Sequence, residues 1–248
     1  MKSVLSVTNS CKMSKRQLLL MSSSRLHGHE FLEHAKDEIK TNKVKKVLFV
    51  PYAQRDHDGY LKTVSKPLNA WGFEVEGLHE KQNETAAVGQ AEAIFIGGGN
   101  TFVLLRTLYE KNLVEPLREQ VLARGVPYIG SSAGSNVATR SIHTTNDMPV
   151  VYPPTFEGLK LVPFNINPHY LDPDCQSTHK GESRDQRIEE FIDYNNLPVL
   201  GLREGTSAFV EGEKMTLLGK FNAKLFNKNK ETLEYSPGSD LSFLLNNP

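Results

Sequence analysis

The chain predicts an α/β fold, with a largely parallel central sheet covered by helices on both faces and a C-terminal antiparallel β appendage. Two observations carry this. Strand-sized apolar runs alternate with helix-period segments from residue 17 to residue 202, the signature of βαβ units. The stretch SAFVEGEKMTLLGKFNAKLFNKNKETLEYSPG (207–238) then changes character and reads as short strands joined by polar turns.

The predicted strands, in order, are QLLLMSS (17–23), KVLFVPYA (46–53), FEVEGL (73–78), AIFIGG (93–98), VPYIGSS (126–132), GLKLVPF (158–164) and LPVLGL (197–202). Helical patterns separate them: EFLEHAKDEIK (30–40), GYLKTVSKPLNAW (59–71), NTFVLLRTLYEKNLVEPLREQVLAR (100–124) and DQRIEEFIDYNN (185–196). No Gly-, Pro- or Ser-rich linker divides the chain, so residues 14–248 are expected to form one domain behind a loose extension, 1–13.

Composition excludes several function classes. Lys+Arg and Asp+Glu both number 29, so no global field draws the chain to nucleic acid or an anionic membrane. Apolar runs such as Val47–Val50 are strand-sized, well short of the roughly 20 residues of a membrane helix. Polar residues interrupt MKSVLSVTNSCKMSKRQ before a secretory core can form. Cys11 and Cys175 are too few for a disulfide framework, and the expected setting is cytoplasmic with reduced thiols.

In open α/β sheets, ligand sites lie beyond the carboxyl ends of the strands. After Val126–Ile129 comes Gly130-Ser131-Ser132-Ala133-Gly134, the strand-turn-helix elbow G-x-S-x-G. A serine on so sharp a turn leaves no room for side chains two positions before and after it. Ser132 alone among the local serines has glycine at both places. A serine nucleophile needs a base and an orienting acid. His169 follows LKLVPFNINP, where Pro168 discourages helix. The histidines at 27, 29 and 34 read as surface residues, and His143 and His179 sit in polar loops. Two carboxylates compete for the third role: Glu204, just after LPVLGL, and Asp147 in TTNDMPV.

FIGGGNTF (95–102) supplies a second glycine turn. A tetrahedral intermediate needs N–H donors at its oxyanion, and Ala133 with Gly98 or Gly99 could provide them. A dinucleotide loop starting at Gly97 would require glycine where Phe102 stands, and no P-loop pattern occurs. HGHE and HKGE lack the H-E-x-x-H spacing of a helix-borne metal site, so neither metal nor cofactor is expected.

FIGGGNTF, YIGSSAGSNVA, TTNDMPVV, LVPFNINPHY, HKGESRDQRIEEF and LREG, in that order from about Ser22 onward, resemble the peptidase E family of α-aspartyl dipeptidases. The resemblance implies a fold similar to class I glutamine amidotransferase domains, with serine where those enzymes carry cysteine. It implies hydrolysis of dipeptides with an N-terminal aspartate, with Ser132 as nucleophile, His169 as base, Glu204 as orienting acid and Asp147 as the alternative acid. Arg184 would pair with the aspartyl side chain, and Asn100 would be a further substrate contact. The chain departs from the family pattern at Ser131, where a bulky aromatic is common, and at Arg203. Two other classes remain: a related hydrolase on the same scaffold, cyanophycinase-like or an esterase, and a non-catalytic small-molecule binding domain. An exposed edge strand would allow two copies to pair as a homodimer.

Overall fold

A computed structural model describes residues 15–41, 44–173, 178 and 181–246. The expected extension 1–13, both cysteines and His179 lie outside the described residues. Five parallel strands come first in the fold: β1 (Gln17–Met21), β2 (Lys46–Val50), β3 (Glu74–Gly77), β4 (Ile94–Ile96) and β5 (Tyr128–Ser131). β6 (Asn165–Pro168) and β7 (Val199–Leu202) follow, then β8 (Thr206–Glu211), β9 (Lys214–Gly219), β10 (Ala223–Phe226) and β11 (Leu233–Tyr235).

These strands make two sheets. The larger has the order β3-β2-β4-β5-β1-β8-β9, and the smaller β11-β10-β7-β6. The antiparallel C-terminal strands are thus shared out: β8 and β9 extend the parallel sheet, whereas β10 and β11 extend the β6–β7 pair.

Side chains on a strand alternate between faces, and here both faces are buried. Leu19, Met21, Val47, Phe49, Phe95 and Ile129 point to one side, against Ile39 of α1 (Lys36–Thr41) and Val64 and Leu68 of α2 (His57–Ala70). Leu18, Leu20, Leu48, Val50, Ile94 and Ile96 point to the other. That face carries α3 (Glu84–Gly89), α4 (Thr101–Glu110), α5 (Val114–Arg118) and α6 (Ala133–Ala138). Ile166, Leu200, Leu202 and Leu225 of the smaller sheet join the same core, so the two sheets share one apolar layer. α7 (Arg184–Asn195) covers the smaller sheet's outer face through Ile188 and Ile192.

Two expected elements move. The long helix expected over 100–124 breaks at Asn112, whose φ is 56°, and resumes as α5 with a π-helical turn, Glu119–Arg124. The strand expected at 158–164 lies instead at β6. The N–H groups of Leu159, Lys160 and Leu161 are consumed by the carbonyls of Val137, Thr139 and Ala138, so this segment caps the end of α6 and cannot pair in a sheet.

Candidate active site

The end of β5 shows why the elbow is built from glycine and serine. Ser132 has φ 52° and ψ −109°, a conformation that costs a side-chain-bearing residue on the order of 1–3 kcal/mol. A β-carbon on Gly134 would stand 2.1 Å from the Ile96 carbonyl oxygen, and one on Gly130 would stand 2.8 Å from the Gly134 oxygen. No side chain fits either place. The turn is held by Ser132 N–H donating to Met21 O (3.1 Å) and by Ser135 Oγ donating to the same carbonyl (2.7 Å).

His169 arrives from the other sheet, at the end of β6, with φ 51°. Its Nε2 accepts from Ser132 Oγ at 2.8 Å, and its Nδ1 donates to Glu204 Oε1 at 2.7 Å. These two bonds define the tautomer, with the proton on Nδ1 and a free lone pair facing the serine. Glu204 directly follows the β7 strand end and its neighbour Arg203, whose guanidinium binds Asp172 (2.6 and 2.8 Å), Glu234 (2.8 and 3.0 Å) and the Asn222 carbonyl (2.7 Å). The segment bearing the carboxylate is therefore tied to three neighbouring stretches of chain.

Sequence reasoning missed how the histidine is set. Buried Ser22, just past β1, accepts from His169 N–H (2.9 Å) and donates to Leu202 O (2.8 Å), joining the ends of β1, β6 and β7 at one hydroxyl. Asn165 and Asn167 alternate along β6 with the apolar Ile166, and both are buried. Their amides donate to Ser141 O (3.1 Å) and Thr144 O (2.8 Å), and Asn146 Nδ2 donates back to Pro168 O (2.6 Å). An asparagine pair inside a buried strand was a usable signal, because buried amides must find partners.

Asp147 lies at the end of that pinned loop, and its carboxylate bonds other partners than the imidazole. Its Oδ2 accepts from Thr101 N–H (2.8 Å), Thr101 Oγ1 (2.6 Å) and Thr145 Oγ1 (3.0 Å). The carboxylate thus fastens the loop to the positive end of α4. Asn100 is engaged at the same helix start. Its Oδ1 accepts from Phe102 and Val103 N–H (both 3.1 Å), and its Nδ2 donates to Met148 O (2.9 Å).

The glycine turn after β4 runs alongside Ser132. A β-carbon on Gly98 would lie 3.0 Å from Ser132 Cβ. Gly99 has φ 141°, with the Ala53 oxygen 2.2 Å from where a β-carbon would be. Ala133 is the first residue of α6, so its N–H falls outside the helix's own ladder.

These groups open into a cleft of about 370 Å³, walled by loops following β1 (Ser23, Ser24, Arg25), β2 (Gln54, Asp56) and β4 (Gly98, Gly99), by Tyr60 and Thr63 of α2, and by Ser132 and His169. The strand-end rule applied to QLLLMSS and KVLFVPYA would have led to the Ser23–Arg25 and Gln54–Asp56 loops. Burial pushes the Tyr60 hydroxyl up to about 12, against the opposing pull of the Gly98 N–H and the Arg25 charge, so it stays protonated at neutral pH. Ser131 and Ser24 share a buried hydrogen bond of 2.6 Å beside Ser132. Arg184 is not among the cleft walls; it opens α7, half-buried, and burial lowers its pKa. His143 sits apart, its Nδ1 bonded to Ser141 Oγ (2.9 Å) and its ring against Phe156 and Phe191, and burial lowers its pKa.

An α/β chain that presents a serine on a glycine-flanked elbow to a carboxylate-backed imidazole is of the serine-hydrolase class. The chain belongs to peptidase family S51, whose family model matches residues 18–218. It is 65% identical over 236 residues to "Probable alpha-aspartyl dipeptidase" of Drosophila melanogaster, covering 94% of this chain and 98% of that one. It is 50% identical over 230 residues to "Peptidase E" of Streptomyces coelicolor, covering 92% and 94%. A solved peptidase from an acI-B1 Actinobacterium shares the fold with a TM-score of 0.67 at 18% identity, covering 93% of this chain and 98% of that chain.

Proposed function

We propose that the chain hydrolyses dipeptides with an N-terminal aspartate through an aspartyl-enzyme ester. The observation that carries the reading is the unbroken hydrogen-bonded line from Glu204 through His169 to Ser132, with bonds of 2.7 and 2.8 Å. The name borne by the Drosophila relative supports the choice of substrate.

In the acylation step His169 Nε2 takes the Ser132 proton as Oγ attacks the scissile carbonyl carbon. Glu204 holds the imidazole in register and balances the imidazolium charge. The oxyanion is received by the N–H of Ala133 and that of Gly98 or Gly99, an environment that stabilises charge without reorganising. Protonated Nε2 then delivers its proton to the departing amine. Water, deprotonated by the same nitrogen, cleaves the ester and restores the hydroxyl. Restriction to dipeptides would follow from a cleft that must pair both the substrate's amine and its carboxylates, since an unpaired buried charge is costly.

We further take the chain to work in the cytoplasm. Among the described residues, no helix is long and apolar enough to cross a membrane. Pairing of two copies along a sheet edge is the assembly to look for by sedimentation.

The test is turnover of Asp-Leu, Glu-Leu and acetylated Asp-Leu by wild type and by Ser132→Ala. Cleavage of Asp-Leu alone, lost in the variant, is the expected result. Equal rates on all three would remove the dipeptidase reading and favour a broader hydrolase.

A further inference from the structure

The cleft beside Ser132 carries one pole of each charge. Arg25 is the sole lysine or arginine among its described walls, and Asp56 the sole carboxylate. The two come from different strand-end loops, after β1 and β2.

Among the described residues, neither charge has an ionic partner. The Arg25 guanidinium lies over the Phe31 ring, 5.4 Å from its centroid, and Phe31 is itself a cleft wall. Among the described residues the guanidinium has no carboxylate partner; its backbone N–H donates to Ser23 Oγ (3.0 Å), which shapes the loop. Asp56 caps α2 by accepting from Gly59 N–H (2.9 Å), and no cation pairs with it among the described residues. An arginine held over an aromatic ring by a cation–π contact is already partly ordered, so it loses less freedom when it binds a carboxylate. The Arg25 charge also reaches the Tyr60 hydroxyl on the neighbouring wall.

We propose that Arg25 binds a carboxylate of the dipeptide and Asp56 its α-ammonium group, so that the cleft reads the substrate as a zwitterion. The inference rests on the dipeptidase reading and assigns anion recognition to the loop after β1. Arg184, which the family resemblance pairs with the aspartyl side chain, lies outside these walls. The substrate offers two carboxylates, on the aspartyl side chain and at the C-terminus, and Arg25 can fork either one.

The experiment measures Asp-Leu kinetics for wild type, Arg25→Met, Arg25→Lys and Asp56→Asn. Asn-Leu, Asp-leucinamide and acetylated Asp-Leu serve as competitive inhibitors, and the labelling rate by a neutral fluorophosphonate reports Ser132 reactivity. Asparagine keeps the helix cap of Asp56 while removing its charge.

Arg25→Met should raise KM for Asp-Leu by about 10- to 100-fold, with Arg25→Lys in between and the labelling rate unchanged. In wild type, Asp-Leu should bind more tightly than whichever analogue lacks the carboxylate that Arg25 holds. In Arg25→Met that gap should close for the one analogue, identifying the carboxylate. Asp56→Asn should in the same way abolish the preference for Asp-Leu over its acetylated form.

An unchanged KM in Arg25→Met, a gap that closes for neither analogue, or labelling that slows in step with turnover would overturn the proposal. Failure of the wild type to cleave Asp-Leu would instead overturn the dipeptidase reading on which it stands.

Discussion

Ser132 and His169 end strands in different sheets, meet at 2.8 Å, and both hold a positive φ, 52° and 51°. Neither is glycine, so each stores backbone strain that the surrounding structure must hold. The main sheet supplies the elbow and the smaller sheet supplies the imidazole. Their shared apolar layer brings the two strand ends to one rim.

The strain predicts an order of stability among inactive variants. Ser132→Gly, free to adopt φ 52°, should exceed Ser132→Ala by about 1 kcal/mol in urea unfolding, with turnover lost in both. Equal stabilities would show that the elbow is not strained.

The two carboxylates should separate cleanly. Glu204→Gln keeps the shape but removes the charge behind His169, and kcat should fall by roughly 10²- to 10⁴-fold with little change in melting temperature. Asp147→Ala removes the acceptor of three hydrogen bonds at the start of α4 and should cost about 1–2 kcal/mol of stability, with kcat lowered far less than in Glu204→Gln. The reverse pattern would move the orienting role to Asp147.

Ser22→Ala leaves the His169 N–H without its acceptor and removes a donor to Leu202 O. The expected loss is about 1–3 kcal/mol in denaturant unfolding. A fall in kcat should accompany it, because the backbone that aims His169 loses its tie. Unchanged kcat with lowered stability would make Ser22 a fold residue alone.

The Asp172–Arg203 pair predicts acid sensitivity. The hydrogen bonds from Arg203 hold the Asp172 carboxyl below its usual value, so the folded state binds its proton less readily than the unfolded chain. The stabilisation is therefore full above the unfolded value of about 3.9 and is lost as pH falls through the lower folded value. Half-exposed Asp172 limits the effect to below about 1 kcal/mol. The melting-temperature advantage of wild type over Asp172→Asn should be visible near about pH 6 and shrink below about pH 4; an advantage independent of pH would remove the ionic explanation.

Much of this was legible along the chain because it obeys local rules. Ser132 was marked by glycines two positions away on each side, and His169 and Glu204 by their places just after apolar runs. In the smaller sheet β7 was legible as LPVLGL, but β6 was not. GLKLVPF has the composition of a strand, but its N–H groups are taken by the end of α6, and the true strand, Asn165–Pro168, is half polar.

Sequence alone determined the alternating α/β plan and the steric demand for glycine around one serine, because both depend on spacing over a few residues. Only the tertiary structure decided that Glu204 meets the imidazole while Asp147 binds α4, and that the loops after β1 and β2 contribute Arg25 and Asp56 to the cleft. Those outcomes depend on how two sheets pack on one apolar layer. No local pattern encodes that distance, because long-range burial and hydrogen-bond pairing set it.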